Sequence, residues 1–297
     1  MPPAPDVALG AAAGAGYLGP EGTFSEEALL GSVAPDAVTP VALETIRDAV
    51  MAVQERAVKW SLVPIENSIE GSVTVTLDTL AGEASETAIV GEVVLPVRHY
   101  LIAATPLQLG QIKTVVSHPH VPGQCARFLH GQLAHAHVLA ASSTAEAVRL
   151  VSERKDDSLA AIGTRLAAEL YRCVVIEAGI QDREDNETRF VWLARADSGS
   201  GAPSLRTRTG SRHKTSLVFW GAGADHAGWL VLCLNEFAKR EINLTKIESR
   251  PMREQLGHYM FFVDLEGSLQ DALVAQALEG LRSMCEQVRV LGSYPAV

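Results

Sequence analysis

A threonine and an arginine stand side by side in the chain, as Thr188 and Arg189, at the start of the apolar run 190–193. The run predicts a β-strand, in which consecutive side chains point to opposite faces. A hydroxyl can donate a hydrogen bond to a reacting oxygen, and a guanidinium can bind a carboxylate through two parallel hydrogen bonds. The alternatives are a threonine that packs through its methyl group and an arginine in a surface ion pair.

A second polar group follows the apolar run 61–65, as Glu66, Asn67 and Ser68. In open α/β folds, substrates bind beyond the ends of the strands. Asn67 and Ser68 can donate hydrogen bonds to a carboxylate or keto oxygen, and the alternative for both is capping of a local turn. Glu66 is interpreted either as a buried acid or as a partner that orients a neighbour.

Two helix starts have the spacing of a capping box, Thr23 with Glu26 and Ser143 with Glu146. Such starts expose backbone N–H groups and the positive end of the helix dipole, which suits a carboxylate. The alternative is capping alone, which uses the same side chains. The candidate substrate contacts at these starts are Thr23, Ser25, Ser143 and Thr144.

These residues belong to a stretch, about 16–193, in which short apolar runs alternate with helical patterns. Alternating strands and helices predict an α/β region with much parallel sheet. One of the longer apolar runs covers 93–104. The segment 197–212 is rich in Ser, Gly and Arg and is interpreted as a linker. We therefore expect a tail at 1–15, a catalytic domain at 16–196 and a second domain at 213–297.

The second domain shows a different order of elements. Apolar patterns predict strands at 214–221, 242–252, 258–265 and 288–294, and helices at 228–240 and 271–287. This is the βαββαβ order of ferredoxin-like domains. On the strand 258–265, Met260 and Phe262 lie on the face that helices should leave open, so we expect that face to pack on another copy of the chain.

Composition limits the possible partners. The chain has 297 residues, and 35 acidic against 25 basic residues give a net charge of −10. Nucleic-acid binders have basic faces, so we expect no nucleic-acid partner. An anionic substrate must be met by local arginines or helix N-termini, because the overall field repels it.

The same composition bears on location. The four cysteines form no Cys-x-x-Cys pair, the first basic residue is Arg47, and no apolar run approaches the ~20 residues that span a bilayer. We expect free thiols, no membrane partner, and a cytoplasmic protein without a secretory or transit signal.

Several runs resemble the motifs of prephenate dehydratases, in the family's order and over nearly the whole chain after residue 16. They are 16–25, 64–73, 186–190 (Asn-Glu-Thr-Arg-Phe) and 248–251 (Glu-Ser-Arg-Pro). The resemblance implies a two-lobed catalytic domain like a periplasmic binding protein, followed by an amino-acid-sensing ACT domain. The implied reaction is loss of water and carbon dioxide from prephenate to give phenylpyruvate, with no metal or organic cofactor.

The resemblance also implies roles for particular residues. Thr188 would donate to the departing hydroxyl, and Arg189 would bind a substrate carboxylate. Glu66, Asn67 and Ser68 would complete the catalytic group. Phe190 is placed with the substrate-binding residues, and packing is its alternative.

For the ACT domain the resemblance implies L-phenylalanine as effector. The implied effector contacts are Gly228, Leu230, Asn243, Leu244, Glu248, Ser249 and Arg250. Trp229 stands where the family usually has alanine, so it should either reshape the effector pocket or point outward. The alternative for Glu248 and Arg250 is an ion pair with each other.

Two other functions stay open at this point. An arogenate dehydratase would act on a substrate with an amine in place of the keto group. A non-catalytic amino-acid sensor would use the same two domains without turnover. Because there is no room before Gly16 for a chorismate mutase domain, a monofunctional enzyme is expected, as a homodimer or homotetramer.

Overall fold

A computed structural model of the protein describes residues 13–199, 201–206, 212–221, 226–253 and 256–297. These residues form fifteen strands. In chain order they are β1 (Gly14–Leu18), β2 (Thr39–Leu43), β3 (Trp60–Asn67), β4 (Gly71–Ser72), β5 (Thr87–Pro96), β6 (Tyr100–Ala103), β7 (Thr114–Ser117), β8 (His137–Ala140), β9 (Leu159–Gly163), β10 (Val174–Ala178), β11 (Glu187–Arg195), β12 (His213–Trp220), β13 (Leu244–Pro251), β14 (Tyr259–Glu266) and β15 (Gln287–Pro295).

The described residues also form nine α-helices, with short 3₁₀ turns at Leu109–Gln111 and Ala196–Ser198. The helices are α1 (Phe24–Ser32), α2 (Ile46–Gln54), α3 (Thr74–Gly82), α4 (Val121–Gln124), α5 (Ala126–Gln132), α6 (Thr144–Arg154), α7 (Arg165–Leu170), α8 (Trp229–Ala238) and α9 (Ala272–Arg282). The predicted caps are confirmed, since Thr23 accepts from the Glu26 backbone N–H and Ser143 from that of Glu146.

The catalytic domain has two lobes, each built on one sheet. The first sheet has the order β2-β1-β3-β11-β5 with β4 beside β3, and the second has the order β10-β6-β9-β7-β8. The chain crosses between lobes from β5 to β6 and returns from β10 to β11. The run 93–104, interpreted as one apolar stretch, is therefore two strands in different lobes. The parallel pairing predicted for this region holds for β1 with β2 and β3 and for β7 with β8 and β9, whereas β11 is antiparallel to both neighbours.

The lobes touch at Gly22, just before α1. Its φ of 86° favours glycine, and a Cβ there would lie 3.1 Å from the Ala167 Cα of the second lobe. The Thr164 hydroxyl donates to the Gly22 carbonyl at 2.6 Å. A side chain at this position would force the lobes apart.

The C-terminal residues form the predicted βαββαβ unit, with the sheet order β13-β14-β12-β15. Helices α8 and α9 pack on one face around Phe219, Phe237 and Leu281. The other face was expected to meet a second copy of the chain, and this prediction is wrong. Met260 and Phe262 pack in the same apolar cluster as residues of β3, β5 and β11 of the catalytic domain.

The segments at the domain borders are partly described. Strand β1 begins at Gly14, inside the predicted tail 1–15, whose first twelve residues lie outside the described ranges. In the predicted linker, the Gly201 carbonyl accepts from the Trp60 indole at 3.0 Å and Leu205 pairs with Val33. This part of the linker is thus fixed on the catalytic domain, and 200 and 207–211 lie outside the description.

Candidate active site

A cleft of about 470 Å³ lies between the two lobes. The crossing strands and the starts of α1 and α6 meet there. Of the residues predicted to contact substrate or reacting groups, six line it: Thr23, Ser25, Asn67, Ser143, Thr144 and Thr188. The fold therefore brings to one cleft predicted residues that are up to 165 positions apart in the chain.

Thr188 is oriented by Asn67. The two residues are paired across β11 and β3, and the Asn67 Nδ2 donates to the Thr188 Oγ1 at 2.9 Å. The Asn67 Oδ1 accepts from the backbone N–H groups of Ile69 and Glu70, both at 2.9 Å, which fixes which way the amide faces. Because Thr188 already accepts a hydrogen bond, its own O–H hydrogen is available to donate into the cleft.

The hydrogen bonds continue beyond Asn67. Its Nδ2 also donates to the Asn186 Oδ1 at 2.9 Å, and the Asn186 Nδ2 donates to the Gln124 Oε1 at 3.2 Å. The same Gln124 oxygen lies 3.0 Å from the His99 Nε2. A chain of side-chain hydrogen bonds therefore joins the second lobe to the Thr188 hydroxyl.

Sequence reasoning did not single out three members of this chain. Asn186 belongs to the motif that was recognised, so its place beside Thr188 was a readable signal. No local pattern points to the contact between His99 and Gln124, which forms because the chain crosses between the lobes. His118 also lines the cleft.

His99 is 1% exposed, and burial lowers the pKa of its imidazole below the ordinary value of 6.5. Since the Gln124 oxygen is an acceptor, the His99 Nε2 carries the proton and Nδ1 is unprotonated. No described side chain or backbone group partners Nδ1. His99 is thus a neutral group of the cleft wall, in edge-to-face contact with Phe24 at 5.6 Å between ring centroids.

The cleft presents helix N-termini in place of cations. None of the described residues that line it is a lysine or an arginine. The starts of α1 and α6 point their free N–H groups there, and both helices are long enough to have a substantial dipole. The hydroxyls of Ser25 and Thr144 have no hydrogen-bond partner among the described residues, so both can donate to a bound anion.

Two of the predicted catalytic residues lie on the other side of the sheet. The Arg189 side chain is only 12% exposed and binds Glu92, Glu66 and Asp264, the last of these in the C-terminal domain. Glu66 also pairs with Lys246 at 3.1 Å. The prediction that Arg189 binds a substrate carboxylate is wrong because neighbouring residues of a strand alternate between faces.

Two further residues that were predicted to contact the substrate are instead engaged with other parts of the protein. Phe190 is 2% exposed and packs in the core of the first lobe with Tyr17 and Trp192. The Ser68 hydroxyl donates to the Asp185 carbonyl and accepts from the Glu187 N–H. Packing, the stated alternative for Phe190, is what the structure shows, whereas Ser68 bonds the distant segment 185–187 and does not cap a local turn.

A second pocket, of about 240 Å³, lies in the C-terminal domain. Gly228 and Leu230 line it, as the effector prediction requires, together with Tyr259 and Phe261. Trp229 lines it too and does not point outward, since it is 7% exposed and its indole donates to the Met284 carbonyl at 2.9 Å. Trp229 therefore forms a wall of this pocket.

The other predicted effector residues do not line this pocket. The Arg250 guanidinium binds Asp78 of α3 at 2.8 Å, and Glu248 accepts from the Ser72 hydroxyl at 3.1 Å. Neither pairs with the other, so the stated alternative is wrong as well. Leu244 packs in the core of the domain, and Asn243 and Ser249 are exposed.

The described residues contain neither a membrane-spanning helix nor a metal-binding cluster. No helix there is long and apolar enough to cross a membrane, and no group of three or more His, Cys, Asp or Glu side chains is arranged to hold a metal ion. The expected absence of a metal or cofactor stays a prediction.

Comparison with known proteins agrees with the architecture. The family model for prephenate dehydratase matches residues 15–198, and that for the ACT domain matches residues 234–283. A prephenate dehydratase of Bacillus subtilis is 35% identical over 281 residues, covering 94% of this chain and 97% of its own.

Solved structures give the same fold. A prephenate dehydratase from Arthrobacter aurescens in complex with L-Phe is 36% identical, with a TM-score of 0.81 over 96% of this chain and 92% of its own. A protein described as a quorum-quenching acylase is 26% identical, with a TM-score of 0.82 over 96% and 98% of the two chains. A shared fold does not by itself determine the reaction, so the reaction must be inferred from the residues of the site.

Fold and comparisons together define a two-lobed α/β enzyme class with an ACT domain. The chain belongs to the prephenate dehydratase family.

Proposed function

We propose that the cleft converts prephenate to phenylpyruvate, with Thr188 as the hydrogen-bond donor to the departing hydroxyl. The observation that supports this most directly is the bond from Asn67 to the Thr188 oxygen, which leaves the threonine hydrogen available. As a member of its family the chain is a lyase. The ACT domain makes it a regulated one.

The reaction requires few catalytic groups from the protein. The bond from the ring carbon to the hydroxyl oxygen breaks, and the oxygen leaves as water after gaining a proton. The bond from the ring to its carboxylate also breaks, carbon dioxide leaves, and the electron pair completes the aromatic ring. Threonine is a very weak acid, so Thr188 assists the departing oxygen by hydrogen bonding more than by full protonation.

The two substrate carboxylates are bound at the starts of α1 and α6. Free backbone N–H groups and the hydroxyls of Ser25 and Thr144 supply the donors, with help from the helix dipoles. This arrangement requires no cation in the cleft, which agrees with its lining.

The direct test is phenylpyruvate formation from prephenate by purified protein, with arogenate as a competing substrate. Turnover of prephenate that arogenate does not suppress supports the proposal. Preferential turnover of arogenate would mean that arogenate is the substrate and that the same cleft acts on it. No turnover of either would favour the non-catalytic sensor.

L-phenylalanine is the proposed effector, bound in the C-terminal domain. The aromatic walls of its pocket, Trp229, Tyr259 and Phe261, fit an apolar ring. Inhibition of turnover by phenylalanine should weaken in Tyr259→Ala if this pocket holds the ligand. If Asn243→Ala or Ser249→Ala weakens inhibition and Tyr259→Ala does not, the ligand binds at the exposed side of β13.

The proposed setting is the cytoplasm, with the chain as a homodimer or homotetramer. The four cysteines are free thiols, and the closest pair, Cys233 and Cys285, has its sulfur atoms 3.8 Å apart. The sheet face that was expected to meet a second copy is covered by the catalytic domain and so gives no support for assembly. The remaining support for assembly is the exposure of Val231 and Leu232 on α8, at 68% and 58%.

A further inference from the structure

Arg189 is the polar centre of the contact between the two domains. Its Nε donates to Glu92 at 2.8 Å, within the catalytic domain. Its Nη1 donates to Asp264 at 2.6 Å and its Nη2 to the Tyr294 hydroxyl at 2.8 Å, both in the C-terminal domain. Two of these three bonds therefore join β11 to β14 and β15.

Every partner in this group is itself bound. Lys214 donates to Glu92 at 2.9 Å, and the Ser216 hydroxyl lies 2.5 Å from Asp264 and 2.7 Å from the Tyr294 hydroxyl. The Glu92 side chain is 2% exposed and that of Asp264 is 7%. Buried charges that are fully paired tolerate few alternative arrangements, since losing one partner leaves another charge uncompensated.

Residue 189 is next to the proposed donor. Thr188 and Arg189 are consecutive in β11 and point to opposite faces of one sheet. The pairing of β11 with β3 shifts register between Arg189 and Phe190, where Ile65 is the extra residue, so β3 is bulged just before Glu66 and Asn67. A bulge re-aims the side chains beside it. Glu66 contacts Arg189 and Asn67 donates to Thr188, so the bonds that hold the Arg189 guanidinium fix the same piece of backbone that positions the Thr188 hydroxyl.

We propose that Arg189 is a positioning residue for the reaction, and that the C-terminal domain fixes the Thr188 hydroxyl through Asp264 and Tyr294. The proposal rests on the function proposed above. It makes the C-terminal domain a part of the active site's support as well as a sensor, because two of the bonds that hold this arginine come from that domain.

The strand that holds Asp264 also reaches the second pocket. On β14, Tyr259 and Phe261 face that pocket, and Asp264 lies on the opposite face, toward Arg189. A ligand that shifts β14 would move Asp264. Through Arg189 it would also move β11, the strand that carries the proposed donor Thr188. Interference with this link should therefore lower turnover and reduce the response to an effector together.

The test uses Tyr294→Phe and Arg189→Lys in the full-length protein. Tyr294→Phe removes one bond to the guanidinium and keeps the ring, whereas Arg189→Lys keeps the charge and loses the planar fork. The matched control is Asp78→Asn, which breaks a separate ion pair between the domains, with Arg250, and does not touch β11. The readouts are kcat and KM for prephenate, inhibition by phenylalanine, and thermal unfolding.

We expect kcat to fall by about 10-fold in Tyr294→Phe and more in Arg189→Lys, with KM within about twofold of wild type, since a small misplacement of a reacting group has large effects. The double variant should lose less than the product of the two single losses, because both changes act on one contact. Asp78→Asn should lower the unfolding temperature and leave kcat unchanged.

Three results would overturn the proposal. Wild-type kcat in Tyr294→Phe and Arg189→Lys, with lowered unfolding temperatures, would make the network purely structural. A raised KM with unchanged kcat would return Arg189 to substrate binding. A wild-type protein that is inactive on prephenate would overturn this proposal and the proposed function together.

Discussion

The cleft and the interface between the domains place charge in opposite ways. The cleft, which is to receive a dianion, is lined in its described part by neutral donors and helix N-termini, without lysine or arginine. The interface, which meets no substrate, buries Arg189, Lys214 and Arg250 with their carboxylates. Charge is used here to fix one part of the protein to another, and fixed dipoles are used to bind the ligand.

This difference teaches how a protein of net charge −10 can bind an anion. Helix dipoles and hydroxyls lie within hydrogen-bond reach of the ligand, where the overall field matters less than local donors. Four predictions test this division.

The largest effect is expected at Thr188. Thr188→Ala should lower kcat roughly 10²- to 10⁴-fold, the usual scale for lost acid–base assistance, without a change in folding. Thr188→Ser keeps the hydroxyl and should retain substantial activity. Steady-state kinetics with circular dichroism as a folding check decide this, and near-normal turnover of the alanine variant would remove Thr188 from its role.

The interface should be most sensitive at Gly292. A Cβ at this position would lie 2.1 Å from the Ile89 carbonyl oxygen of β5, a clash with backbone. Gly292→Ala should therefore lower the free energy of unfolding by about 1–3 kcal/mol, as overpacking does. Gly131→Ala is the control, because its Cβ would meet nothing within 4 Å. Equal denaturant midpoints for the two variants would argue against a close contact between the domains.

Substrate binding should depend on the neutral donors. Ser25→Ala and Thr144→Ala each remove one hydroxyl that faces the cleft, and each should raise KM for prephenate about 10-fold, since a hydrogen bond to a charged group contributes about 1.5 kcal/mol or more. If KM rises in Arg189→Lys and stays unchanged in these two variants, the substrate carboxylate is bound by Arg189 and not by the hydroxyls of the cleft.

The smallest effect concerns pH. Burial lowers the pKa of His99, so the unfolded chain takes up this proton more readily than the folded one. The contribution of His99 to stability is therefore complete above the ordinary pKa of 6.5 and is lost as the pH falls below it. The unfolding temperature of wild type should fall more steeply from about pH 7 to about pH 5 than that of His99→Gln. Parallel curves would mean that His99 does not contribute.

Much of the fold was readable because its signals are local. Capping boxes marked the starts of α1 and α6, and the apolar periodicities gave the βαββαβ unit. Thr188 and Asn67 were found through their motifs. His99 and Gln124 were not, because the bond between them depends on how two lobes approach each other, and no pattern within either segment reports that.

The errors have the same origin. Strand alternation predicted that Arg189 and Thr188 face apart, but the sequence did not reveal what lies behind the sheet. Asp264 and Tyr294 are 75 and 105 positions away. Likewise, the sequence indicated that the apolar face with Met260 and Phe262 must pack against something. We predicted a second chain, and the structure shows the catalytic domain of the same chain.

That covered face limits how the two domains can be recombined. A polypeptide that stops after residue 206 would expose the apolar surface of β5 and β11 and leave Arg189 and Glu92 without their C-terminal partners. A sensor domain taken from another protein would need to match this surface as well as its own ligand. For protein engineering, the transferable unit is the whole chain from β1 to β15, and exchange of effector specificity is better attempted by substitutions around Trp229 than by exchange of domains.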